Sequence, residues 1–110
     1  MTRSERACQI WSVLAWAARN RQTMTYGHLS KLTGIPAIGM GKYLDPIQSF
    51  CRSEKLPLLT SIVVQSDSGL PGQGFEAAGA GDLARVQKNV FAKDWLAYGN
   101  PQAEKFEGHL

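Results

Sequence analysis

The side chains that could act as nucleophiles in this chain are two cysteines and a Thr-Ser pair, and none has the partners that catalysis needs. Cys8 and Cys51 are far apart and have no metal-ligand spacing, so we expect each to pack as a small hydrophobic residue in a reducing cytoplasm. A disulfide between them is the alternative. Thr60 and Ser61 have neither a histidine–carboxylate pair nor paired carboxylates to activate them. The sequence therefore predicts a non-catalytic protein without a metal or a cofactor.

The distribution of charge favours a binding role. Residues 1–55 carry eight basic and three acidic residues, a balance of +5, whereas residues 56–110 have a balance of −2. A basic half of a small protein complements a phosphate backbone, although a solvated surface is the alternative explanation. The charge pattern thus permits a nucleic-acid partner without requiring one.

The chain length of 110 residues predicts one domain with a single core. No apolar run is long enough to span a bilayer. The N-terminus places basic residues before an apolar stretch, which imitates a signal peptide, but Ser12 interrupts the stretch and Arg19 follows it. We therefore expect a helix of the mature, cytoplasmic protein there.

The elements that must position any binding residues begin with two capped helices. Thr2 and Glu5 have capping-box spacing, and the helix that they start ends in the polar residues 19–21. Thr25 is expected to cap a second helix, from which Leu29 and Leu32 point inward. Gly34 stands where a left-handed C-terminal residue is needed.

A glycine-bearing third helix is expected next. Pro36 suits its first turn, and Met40 and Leu44 supply its buried side. Gly39 and Gly41 each cost about 1 kcal/mol of helix stability relative to alanine, which favours close approach of another group to the backbone. A fourth helical segment is expected to begin at Asp45-Pro46 and to run through Glu54, with Ile47, Phe50 and Cys51 on its buried face.

The second half of the chain predicts one strand, a loop and a last helix. Leu58–Gln65 is rich in β-branched residues and predicts a buried strand. A turn at 66–69 and a Gly-rich loop at 69–75 follow. Asp82 is expected to cap a helix of about 82–98, whose buried stripe includes Leu83, Val86 and Val90. The last residues, from Gln102 to Leu110, are expected to be frayed or to form a docking tail.

This order of elements is typical of a small winged helix-turn-helix domain. The predicted fold class is α+β, a single domain over 1–110 with its core at 24–75, an N-terminal helix and an added C-terminal helix. Residues 26–75 also resemble the C-terminal DNA-binding domain of O6-alkylguanine-DNA alkyltransferases and of alkyltransferase-like proteins. The matching residues are Thr25, Tyr26, Leu29 and Ser30, then Met40, Gly41 and Leu44, then Leu56-Pro57-Leu58, Val63-Val64 and Gly69 to Phe75.

The departures from this family argue against its chemistry. In the alkyltransferases a Cys-His-Arg segment holds the alkyl-accepting cysteine, and the corresponding positions here are Thr60, Ser61 and Ile62. A threonine hydroxyl lacks thiolate nucleophilicity, so methyl transfer is not expected. Alkyltransferase-like proteins place an arginine of the recognition helix in the base stack, and by the resemblance that position is Ile38 here, or a glycine if the alignment shifts by one residue. An apolar side chain can also wedge a base step apart.

What the resemblance implies is a duplex-DNA interface on the second and third helices and a Gly-rich wing. The candidate DNA-binding residues are Thr25, Tyr26, Lys31, Ile38, Lys42, Tyr43, Arg52, Gln65, Ser66, Ser68, Gly72 and Gly74. The alternative function is a small winged-helix module of phage, plasmid or immunity type that binds another protein through Trp16 or the wing.

Overall fold

A computed structural model describes residues 1–72 and 80–110, and its first helix, α1, spans Arg3–Arg19. The hydroxyl of Thr2 accepts a hydrogen bond from the amide of Glu5 at 3.2 Å, and the carboxylate of Glu5 accepts one from the amide of Thr2 at 2.8 Å. The predicted capping box is therefore confirmed.

A two-residue strand, β1 (Met24–Thr25), leads directly into helix α2 (Tyr26–Thr33). Thr25 caps α2, since its hydroxyl accepts from the amide of His28 at 3.0 Å, and Gly34 ends the helix with φ 78°. Leu29 is fully buried, but the prediction that Leu32 points inward is wrong, because 54% of it is exposed. This short helix buries a single stripe, Leu29 and Thr33, and Leu32 lies beside that stripe.

Helix α3 (Gly41–Ser53) follows a 3-10 turn at Ala37–Gly39, and Met40 and Leu44 are buried as expected. The predicted new helix start at Asp45-Pro46 is wrong, because Pro46 lies inside one continuous helix. A proline there removes the amide that would bond to the carbonyl four residues earlier. That carbonyl belongs to Lys42, and it accepts instead from Nε of Arg3 at 2.8 Å.

The predicted strand Leu58–Gln65 is largely wrong. Leu59–Ile62 forms a 3-10 turn, and only Val63–Val64 forms a strand, β2, which pairs in parallel with β1 through Met24↔Val63. The turn packs among α1, α3 and the helix Ala80–Ala92, and no strand other than β1 is present in the described residues to pair with it. A buried backbone without a neighbouring strand satisfies its hydrogen bonds locally, as the bond from the Ser61 amide to the Leu58 carbonyl does.

Three helices form the C-terminal part: α4 (Ala80–Ala92), α5 (Trp95–Tyr98) and α6 (Ala103–Glu107). The single helix expected at 82–98 is therefore broken, and Asp94 caps α5 by accepting from the amide of Ala97 at 3.1 Å. The prediction of a frayed C-terminus is wrong as well, because Phe106 is fully buried.

The core is built around Trp11, whose indole lies against several aromatic rings. Its ring centroid is 5.6 Å from those of Phe50 and Trp95 and 6.0 Å from those of Tyr98 and Phe106. Such tilted and edge-on contacts suit the quadrupoles of aromatic rings. Helices α5 and α6 thus complete the core that α1 and α3 begin.

The described residues form an α+β domain with six α-helices and one two-stranded parallel sheet. None of the helices in those residues is long and apolar enough to cross a membrane. Cys8 and Cys51 are both free thiols, so the disulfide alternative does not hold.

Candidate nucleic-acid interface

The turn between α2 and α3 presents the most exposed large hydrophobic side chain among the described residues. Ile38 lies in the 3-10 turn and is 99% exposed, whereas its neighbours Ile35 and Met40 are buried. The buried pair anchors the turn, so the isoleucine projects from a fixed base. An isolated apolar side chain held away from the core in this way is available for a partner.

Two arginines of α1 hold the two ends of this turn. Nη1 of Arg6 donates to the carbonyl of Thr33, the last residue of α2, at 2.7 Å. Nε of Arg3 donates to the carbonyl of Lys42, at the start of α3, at 2.8 Å. A cation at a helix C-terminus is also favourable to the helix dipole. The geometry around Ile38 therefore depends on α1, which the sequence analysis did not assign to the site.

The surface around the turn carries basic residues. Between Glu5 and Asp45 the sequence contains five Arg or Lys residues and no acidic one. Lys31 and Lys42 are both exposed, and Nζ of Lys42 lies 5.2 Å from the centroid of the half-buried Tyr43 ring. A cation over an aromatic face is held in place without losing its charge.

Thr25 and Tyr26 already have structural roles. The hydroxyl of Thr25 caps α2, and the half-buried Tyr26 packs against the core. The phenol oxygen of Tyr26 accepts a hydrogen bond from the amide of Gly72 at 3.2 Å. A Cβ at position 72 would collide with this phenol oxygen, so any larger residue there would have to displace the Tyr26 ring. Tyr26 thus ties the loop after β2 to the first turn of α2.

The loop that follows β2 closes on itself before it reaches Tyr26. The amide of Gly69 donates to the carbonyl of Gln65, and the amide of Gln65 donates to the carbonyl of Leu70, both at 2.8 Å. Ser68 accepts from the amide of Leu70 at 3.2 Å. Gln65, Ser66 and Ser68 are all exposed. Gly74, the last predicted contact of this loop, lies outside the described residues.

Arg52 is the one predicted phosphate contact that stands apart along α3. It lies ten residues after Lys42, which is about 15 Å along the helix axis. The structure therefore brings Ile38, Lys42 and Tyr43 together at the N-terminal end of α3, with Lys31 on the preceding helix, and places Arg52 at the other end.

The positions that resemble the alkyl-acceptor site are buried. Thr60 and Ser61 are 5% and 0% exposed, and neither hydroxyl has a hydrogen-bond partner among the described residues. The carbonyl of Ser61 accepts from Nε2 of Gln87 at 2.8 Å. Burial raises the pKa of the nearby Cys51 thiol to about 11, although the Leu59 amide bonds to it, so this thiol is protonated at neutral pH.

Sequence reasoning missed Arg3 and Arg6, although a signal was present. A proline inside an amphipathic helix leaves the carbonyl four residues earlier without its helical partner, so that carbonyl needs another hydrogen-bond donor. The absence of acidic residues from 6 to 44 was a second signal, because this stretch includes most of α1 and thus adds α1 to the basic part of the chain.

The described residues contain no group of three potential metal ligands among His, Cys, Asp and Glu. Comparison of the chain with protein-family models, with curated proteins and with solved structures found no match.

Proposed function

We propose that this protein is a non-catalytic DNA-binding protein of the winged helix-turn-helix type, with an alkyltransferase-like mode of binding. In this arrangement α2 and α3 are the two helices of the motif, and the loop that begins at Gln65 is the wing. The exposed Ile38 at the entry to α3 carries the proposal.

Ile38 supports DNA binding because it is almost fully exposed on a turn that lies between the buried Ile35 and Met40. Burial of a side chain of this size is worth roughly 1.5–3 kcal/mol, and in the free protein this gain is still available to a partner. Proteins that distort duplex DNA insert apolar side chains between base steps. The flanking Lys42 and the excess of basic over acidic residues in residues 1–55 supply the attraction to phosphate that such an insertion requires.

The two arginine bonds from α1 support the same proposal. A wedge must keep its position while it separates a base step, and unstacking costs a few kcal/mol. The bonds to the Thr33 and Lys42 carbonyls fix both ends of the turn and hold Ile38 in place. Contacts between DNA and the rest of the protein can then offset the cost of unstacking. Arg3, Arg6 and Pro46 are therefore positioning residues for Ile38.

Fluorescence anisotropy of labelled duplexes tests the proposal, with and without an O6-methylguanine, over a range of salt. We expect salt-dependent binding, and we expect Lys42→Ala and Lys31→Ala each to reduce the slope of log K against log salt by about 0.9. Lys105→Ala is the matched control. Lys105 is exposed on α6 and lines a pocket with Glu54, which caps the C-terminal end of α3 about 18 Å along the helix from Lys42, so its removal should leave the slope unchanged.

Unstacking can be observed separately from binding. A duplex with 2-aminopurine at the centre should become brighter when the wild-type protein binds, because the base leaves its stack, and Ile38→Ala should bind without this increase. Preference for the methylated duplex would indicate lesion recognition. Equal slopes for Lys42→Ala, Lys31→Ala and Lys105→Ala would contradict the assignment of the binding surface.

A further inference from the structure

A second surface lies between α1 and α2 and is separate from the turn that carries Ile38. It is a groove of about 340 Å³, which we call the Trp16 groove. Its lining residues, most of them apolar, are Val13, Trp16, Ala17, Gln22, Thr23, Met24, His28 and Leu32.

Two large apolar side chains stand exposed in this groove. Trp16 on α1 is 58% exposed and Leu32 on α2 is 54% exposed, although Trp11 and Trp95 are fully buried. The core therefore has room for two of the three tryptophans and excludes Trp16. Exposed tryptophan beside aliphatic side chains in a concavity is the usual composition of a protein-binding hot spot.

The charge around the groove indicates the chemistry of the partner. Its lining contains no acidic residue, and two lining residues follow basic residues in the chain: Gln22 follows Arg21 and Leu32 follows Lys31. Both basic side chains are exposed, and neither takes part in an ion pair with a described residue. An apolar floor between two cations complements a segment that is apolar at its centre and acidic on both sides.

We propose that the Trp16 groove binds an acidic peptide segment of a partner protein, with an aromatic or leucine side chain inserted between Trp16 and Leu32. A peptide fits better than a nucleic acid, because the aliphatic floor of Val13, Met24 and Leu32 offers little to pair with base edges. On α2 the groove is lined by His28 and Leu32, and the turn with Ile38 follows that helix, so the two surfaces meet at Lys31 near its C-terminal end. Trp16 belongs to the groove alone, so its substitution separates peptide binding from DNA binding.

A synthetic peptide tests this proposal directly. The probe has about twelve residues, with phenylalanine and leucine four residues apart among glutamates, which is the spacing of a helix laid in a groove. One matched peptide replaces both apolar residues by alanine, and a second replaces the glutamates by lysines. Affinity is measured by the anisotropy of fluorescein-labelled peptide, and the site of binding by acrylamide quenching of tryptophan fluorescence, because Trp16 is the exposed tryptophan.

We expect saturable, salt-sensitive binding of the acidic peptide and protection of Trp16 from acrylamide. Trp16→Ala and Leu32→Ala should each weaken binding about ten-fold or more, the cost expected of a hot-spot residue. Leu96→Ala is the control, since Leu96 is 59% exposed on α5 and does not line the groove. Trp16→Ala should leave the affinity for duplex DNA unchanged.

Several results would overturn the proposal. They are the absence of saturable peptide binding, equal binding of the lysine peptide, or equal affinity of the wild type and Trp16→Ala. Protection of Trp16 by single-stranded oligothymidine, without peptide binding, would assign the groove to nucleic acid instead. A dimer of the wild-type protein that Trp16→Ala converts to a monomer would assign it to a second copy of this chain.

Discussion

The hydrogen bond between Arg3 and the Lys42 carbonyl exists because Pro46 leaves that carbonyl without its helical partner. This relation makes a quantitative prediction about stability. Arg3→Ala removes the donor, and because the bond is exposed, water replaces part of it. We therefore expect a loss of about 1 kcal/mol in the free energy of unfolding, which is below the roughly 1.5–3 kcal/mol of a buried hydrogen bond to a charged group. For a domain of this size the loss corresponds to a decrease in melting temperature of roughly 4 °C.

The decisive comparison is the same substitution in a Pro46→Ala background. An alanine at position 46 has an amide, and that amide can donate to the Lys42 carbonyl within α3. The carbonyl then keeps a partner when Arg3 is removed. We expect Arg3→Ala to cost at most half as much in this background, which gives a coupling free energy of about 0.5 kcal/mol or more in the double-mutant cycle.

Urea unfolding followed by circular dichroism measures all four proteins of the cycle. Arg6→Ala provides the matched control, because Arg6 donates to the Thr33 carbonyl, which Pro46 does not affect. The change in the free energy of unfolding caused by Arg6→Ala should add to the change caused by Pro46→Ala within about 0.5 kcal/mol. An equal cost of Arg3→Ala in both backgrounds would refute the reasoning that the proline and the arginine act on one carbonyl.

Three further predictions follow from buried contacts. Gly72→Ala should lower the melting temperature, because the new Cβ meets the phenol oxygen of Tyr26. Tyr26→Phe removes that oxygen and should relieve part of the loss in the double variant. If the two substitutions lower the melting temperature additively, this contact is contradicted. Thr60→Val removes a buried hydroxyl that has no hydrogen-bond partner among the described residues. The free energy of unfolding, measured by thermal unfolding, should stay constant or rise by about 1 kcal/mol. A clear loss would show that the hydroxyl has a partner. Burial raises the pKa of the Cys51 thiol from 9.0 to about 11, so the unfolded chain loses this proton at a lower pH than the folded protein does. The free energy of unfolding should therefore fall by about 2 kcal/mol between pH 9 and 11. Cys51→Ala should reduce this dependence on pH, and an unchanged slope would contradict the assignment.

Local signals in the sequence predict the starts and ends of the first helices. The capping box of Thr2 and Glu5, the cap at Thr25 and the left-handed Gly34 each depend on neighbouring residues, so the sequence contains all the necessary information. The strand at 58–65 depends on distant residues instead. Its β-branched composition favours a ladder, but β1 offers only two residues to pair with, and the rest forms a 3-10 turn.

Tertiary packing also decides the C-terminal segment and the helix that contains Pro46. Phe106 is the single aromatic residue other than histidine in a mostly polar tail, and nothing in the local pattern shows that it completes the ring cluster around Trp11. Pro46 is a typical start signal for a helix, yet a donor from α1 allows the helix to continue through it. Among the candidate site residues, Ile38 and Lys42 are exposed, and their role in DNA binding stays a prediction. The supporting roles of Arg3 and Arg6 required the three-dimensional structure.

The most direct test of the proposed DNA-binding role compares Ile38→Ala with Leu96→Ala in one duplex-binding titration at low salt. Both variants truncate an exposed aliphatic side chain, but only Ile38 lies at the entry to α3. The proposal predicts salt-dependent binding of the wild type and of Leu96→Ala, and an affinity about ten-fold lower for Ile38→Ala, because the loss of a wedge removes interactions worth roughly 1.4 kcal/mol. Equal affinity of the two variants, or no binding of the wild type, would contradict it.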